Sequence, residues 1–166
     1  MNDETKKTEK TPKAGKKSRA KKKAPERQAP LTVRLNNPGA IEKPSSFTWQ
    51  GQADVQQHSR FCTFESPEMG ARAMLKVLAT YRRRYNRRTV ESVIKRWAPA
   101  VENYTEGYIK RVCRDAVIDR TTQISIPHYP RVAWAMAIVE AGYEAFPLEV
   151  FEEGMKLAEP IRWHRG

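Results

Sequence analysis

Glu140 closes the mostly apolar run Val132-Ala-Trp-Ala-Met-Ala-Ile-Val139, and Gly142 follows as a helix stop. A carboxyl in that position suits general acid chemistry. Partial burial disfavours its charged form, and so does the negative end of the helix dipole, worth roughly −0.5 charge. The plainer alternative, an exposed residue that ends an amphipathic helix, stays open. Glu65 and Glu68 are the next carboxylates to weigh. They bracket Ser66-Pro67 at a helix start, where the positive dipole end keeps a carboxylate ionised. That suits a base or a charge stabiliser, and it suits ordinary capping equally well.

Cationic chemistry concentrates in two places. The chain has a formal charge of +12, and its first thirty positions hold eleven basic and four acidic residues, a net +7. Lys21, Lys22 and Lys23 lie in that tail. The second place is Arg82-Arg-Arg-Tyr-Asn-Arg-Arg88, with Arg82, Arg83, Arg84, Arg87 and Arg88, four of which fall at or just beyond a helix C-terminus. The bland reading is a solvated end that compensates the dipole. The functional reading is a polyanion-binding patch for nucleic acid, anionic lipid or lipopolysaccharide phosphates. No helix-turn-helix, zinc-finger or aromatic RNA-binding signature accompanies the charge. Metal chemistry has little to build on. His58, His128 and His164 lie far apart, and Cys62 and Cys113 sit in apolar patterns that favour buried free thiols over a disulfide or a metal site. No cofactor motif is present.

The elements that must position these groups follow from pattern. Residues 1–30 have no aromatic residue and no Val, Ile or Phe, so they are expected to be a disordered basic tail. They have no apolar core of a secretory signal, and no run in the chain reaches a membrane-spanning length. Residues 31–166 are expected to form one domain, β-rich over 31–65 and helical over 66–158. Leu31 to Leu35 alternates and predicts a short strand. Phe47 to Val55 and Arg60 to Phe64 predict a small β-hairpin across Gln56-Gln57-His58-Ser59. Helices are predicted after the Ser66 cap, after the Thr89 cap, from Asn103 or Thr105, from near Pro130 and from Pro147. The class is mainly α with a small β element.

Four ordered blocks carry a resemblance. They are Asn36-Asn-Pro-Gly-x-Ile41 with Trp49-x-Gly51, Phe61-x-x-Phe-x-Ser-Pro-Glu-x-Gly70, Arg96-Trp-Ala-Pro99, and Glu102-Asn-x-Thr105. In this order they resemble a family of phage and prophage virion proteins described as structural proteins with lysozyme-like, peptidoglycan-degrading character. The resemblance runs from about Arg34 to about Ala158. It implies a lysozyme-like α+β fold, a virion location, peptidoglycan and other virion proteins as partners, and cleavage of the glycan strand. Relatives carry Ala-Ile-x-x-His-Glu-Asn-Gly near Glu140, which looks like the catalytic glutamate motif of lytic transglycosylases. Here Val139 replaces the His, Ala141 replaces the Asn, and Phe146-Pro147 stands where Pro-Tyr is usual. The glutamate helix follows the β-region instead of preceding it, an order that a circular permutation would reconcile.

On that footing Asn36, Asn37 and Gly39 are expected to meet sugar N-acetyl groups, and Trp49 and Tyr104 to stack on sugar faces. Trp97 is expected to be core. With Glu140 as the single catalytic carboxylate, a lytic transglycosylase is easier to support than a muramidase. The rival reading is a non-catalytic virion structural protein whose basic tail binds the genome or another polyanion.

Overall fold

The structure, a computed structural model, describes residues 27–101 and 104–165. The expected tail up to residue 26, with Lys21, Lys22 and Lys23, lies outside the described residues, as do Glu102 and Asn103. Among the described residues six α-helices follow in order: α1 (Leu31–Arg34), α2 (Pro67–Tyr85), α3 (Val90–Trp97), α4 (Thr105–Ala116), α5 (Tyr129–Ala141) and α6 (Leu148–Ala158). A 3-10 turn, Ile126–His128, leads into α5. The mainly helical class is as the sequence suggests.

Local chemistry sets the helix ends. The Ser66 side chain accepts from Met69 N, and Pro67, which has no N–H to satisfy, opens α2. Asn86 stops α2 in the left-handed region at φ 52°. Thr89 and Ser92 cap α3 reciprocally, each side chain accepting from the other's backbone N–H. Gly142, at φ 86°, ends α5 directly after Glu140 and Ala141.

Long α2 is the spine. Its Met74, Leu75 and Leu78 are fully buried, and it packs against α5 and α6. The approach to α6 is close enough to require a glycine. A Cβ on Gly154 would lie 2.9 Å from both Ala71 Cβ and Arg72 N. Helix α5 is buried on most of its circumference, with Val132, Ala133, Ala135, Met136 and Ala137 all in the core. A helix apolar all round belongs inside, and it carries its one acidic residue, Glu140, out to its last turn. Arg120 ties α3 to α4 by reaching Glu91 and both carboxylate oxygens of Glu106.

The N-terminal part differs from expectation. Leu31 to Leu35 is not a strand but the single helical turn α1, which packs on α5. The expected hairpin is also absent as a ladder. Only the isolated bridges Glu42–Phe61 and Gln52–Phe64 form there among the described residues. The reason is visible in the bonding of the segment 61–65. Cys62 N donates to Ile41 O, Phe64 N to Leu35 O, and Glu65 N to Gly51 O, so one short extended piece is shared among three neighbours. Side chains complete the rest. Gln56 donates to Ala53 O and Thr63 O and accepts from Thr63 N.

Candidate functional site

Glu140 stands where three cavities meet. An inner one of about 200 Å³ is lined by Leu31, Leu35, Asn37 and Phe61 beside the carboxylate. A second of about 560 Å³ lies along α4, with Tyr104, Tyr108, Lys110 and Arg111. The third, about 420 Å³, runs over Gly39 to Glu42, Arg60, Tyr81 and Trp97. Together they form a groove with the Asn36–Gly39 turn on one side and α4 on the other.

Two neutral donors fix the half-buried carboxylate. Tyr108 Oη donates to Glu140 Oε1 at 2.9 Å, and Trp97 Nε1 donates to the same oxygen at 3.1 Å. Oε2 has no protein partner among the described residues. Burial, and then the neighbouring Glu140 carboxylate, push the Tyr108 hydroxyl well above its ordinary value. Tyr108 therefore remains a phenol and a donor. An indole N–H can only donate. With both donors on Oε1, an acid proton on this carboxyl belongs on Oε2.

The Asn36–Gly39 turn is built as a rigid wall. Asn36 adopts φ 51°, and its Nδ2 donates to Phe64 O at 3.1 Å. The Asn37 amide gives both its protons away, to Ile41 O and Cys62 O, and its Oδ1 accepts from Ile41 N, each at 2.9 Å. Asn37 is fully buried. Its expected role as a contact to sugar amides is therefore corrected: it staples the turn to the segment 61–64. Gly39 is also buried, and an added Cβ would press on Met74 and Trp97 at 3.1–3.2 Å. It offers close packing at the groove edge, not a side chain.

The remaining expected residues divide. Tyr104, 80% exposed, lines the groove beside Glu140. Glu65 and Glu68 line none of its three cavities; they remain at the start of α2, where Glu68 occupies the first turn. Trp49 is also elsewhere, beside Lys76, Thr80, Arg83 and Arg162. Of the arginine run, Arg82 is corrected from surface to interior. It is 7% exposed, and its Nη1 donates to Ile124 O at 2.8 Å. Arg83, Arg84, Arg87 and Arg88 are partly or fully exposed.

Trp97, expected to be core, grips Glu140 together with Tyr108, a pairing that the sequence pattern does not announce. A signal for the α4 wall was present. Tyr104, Tyr108 and Arg111 recur at i, i+4, i+7, one face of a helix.

The chain is 32% identical over 131 residues to protein P5 of Pseudoalteromonas phage PM2, a match that covers 78% of this chain and 82% of that protein. The chain belongs to the phage protein P5 family. The phage side of the resemblance thus stands. No protein-family model matches the chain. Membership of the P5 family makes this a phage-associated protein, and no helix among the described residues is long and apolar enough to cross a membrane.

Proposed function

We propose that this chain is a virion-associated, peptidoglycan-degrading enzyme that cleaves the glycan strand, with Glu140 as general acid. The observation that carries the reading is the carboxyl itself. It ends a buried helix, sits at the junction of three cavities, and is held through one oxygen by two neutral donors. The helix-borne glutamate facing a loop-rich region is what a permuted lysozyme-like arrangement requires.

The chemistry follows from the inventory of the groove. The proton on Oε2 passes to the glycosidic oxygen, and the bond from that oxygen to C1 of the sugar breaks. The carboxylate left behind then takes the proton of the same sugar's 6-hydroxyl, whose oxygen bonds to C1. One residue serves as acid and then base, and a 1,6-anhydro sugar results. A single carboxylate is the feature that favours this route over hydrolysis with two. Among the described residues Glu42 is the other acidic residue lining the groove, and it is paired with Arg60. Tyr104 offers its ring to a sugar face. Lys110 and Arg111 on the α4 wall suit the carboxylates of peptide stems.

Mass spectrometry of murein incubated with the full chain tests the reaction type. Muropeptides ending in 1,6-anhydro sugars are expected. Reducing ends in their place would make it a hydrolase. Murein that cosediments with the chain but releases nothing would leave a non-catalytic virion structural protein.

A further inference from the structure

We propose that the end of α2, together with residues 162–165, forms a binding track for the phosphodiester backbone of single-stranded nucleic acid. Arg82, Arg83, Asn86, Arg88, His164 and Arg165 line a cavity of about 490 Å³. Elsewhere the arginines Arg60, Arg114 and Arg120 are paired with carboxylates. Here none is paired with a carboxylate among the described residues. Neutral acceptors hold them instead. Arg83 donates to Arg162 O at 2.9 Å, and Arg88 to Asn86 Oδ1 at 2.7 Å. Arg82 is nearly buried beneath them, and its Nε has no partner. Several guanidinium groups left uncompensated around one cavity match an anion with several oxygens.

The C-terminal end of a helix carries partial negative charge and opposes an anion. Arg165 removes much of that objection. Its Nε donates to Arg83 O and its Nη2 to Arg84 O, both at 3.1 Å, so carbonyls of the last turn face a cation.

The surface continues past Arg83, which also lines a second cavity of about 330 Å³ with Lys76, Arg162 and Trp49. Burial first, and then the charges of Arg72 and Arg83, lower Lys76, while the Glu159 carboxylate raises it. Basic groups interleaved with an aromatic ring are what single strands use, the cations tracking phosphates and the ring stacking on a base. A lipid surface would call for exposed aliphatic side chains at the rim. Of the apolar residues lining the two cavities, Ala79 is buried, Trp49 and Ile161 are partly exposed, and Pro160 alone is exposed, so no run of exposed aliphatic side chains forms the rim.

The test is fluorescence anisotropy of a short labelled oligothymidylate against the full chain over a salt series, for the parent and for Arg88→Ala plus Arg165→Ala. Losing two phosphate contacts should weaken binding about tenfold or more at low salt and lower the log–log salt slope by about 1.4. Arg165 also caps α2, so Arg88→Ala alone, which breaks only a bond to exposed Asn86, carries the test if the pair melts early; its slope should fall by about 0.7. Parent affinity and slope in both variants would overturn the proposal and leave binding to the Lys-rich tail. Loss of binding to phosphatidylglycerol vesicles with oligonucleotide binding intact would overturn it in favour of a lipid headgroup site.

Discussion

Gly70→Ala probes how the groove wall is seated. Gly70 lies in the first turns of α2, under the Asn36–Gly39 turn. An added Cβ would stand 2.1 Å from Asn36 O and 2.7 Å from Pro38 Cδ. Two effects compete. Alanine in place of glycine in a helix gains at most about 1 kcal/mol. The methyl, however, meets backbone, which cannot swing aside like a side-chain tip. The turn would have to move by about 1 Å, and overpacking of this kind costs about 1–3 kcal/mol. Movement also strains the Asn36 bond to Phe64 O and the buried Asn37 amide, where a lost partner costs about 1–3 kcal/mol. The clash wins by about 2–3 kcal/mol net. At about 2–4 °C per kcal/mol for a chain of this size, Tm should fall by about 5–10 °C. Thermal melting by circular dichroism reads the shift, and cosedimentation with murein reads the wall. A Tm equal to or above the parent's would refute the close seating, because helix propensity alone predicts a rise.

Two further substitutions address the site and its scaffold. Tyr108→Phe removes one of the two donors on Glu140 Oε1; murein cleavage should fall about tenfold, and chemical denaturation should show a loss of about 1–3 kcal/mol. Arg120→Ala removes the hub between Glu91 and Glu106, whose carboxyls are held below the usual range, Glu91 by hydrogen bonds from Lys95 and then Arg120, and Glu106 by those from Arg120. Their folded-state values are depressed, so the stabilisation is present above pH about 4.5 and lost as pH falls through the folded values. The Tm gap between parent and variant should be steady from about pH 7 to 5.5 and shrink below about pH 4.5; a gap that widens on acidification would contradict the sign.

Local signals made much of the helical half legible. Ser66 before Pro67, Thr89 before an amphipathic run and Gly142 after an apolar one are caps whose chemistry is complete within a few residues. Five residues from Leu31 to Leu35 cannot separate a period of 2 from one of 3.6, so a helical turn read as a strand. The β-region failed for a different reason: Phe61 to Glu65 divides its backbone bonds among distant partners, which no local pattern records. Arg82 was recoverable. It continues the buried spacing Leu75, Leu78, Ala79, and its charge masked its place on that stripe. Glu140 was legible as a helix-end carboxylate. Its donors, 32 and 43 residues away in sequence, were not.

The most direct measurement is cleavage of purified murein by the full chain and by Glu140→Gln. The substitution keeps size and the acceptor for Tyr108 and Trp97 but removes the transferable proton. General acid catalysis contributes about 10²–10⁴-fold. The account predicts a loss of that size, with Tm and murein binding close to the parent's. Digestion by the Gln variant at the parent rate, or a parent chain that binds murein and leaves it intact, would contradict it.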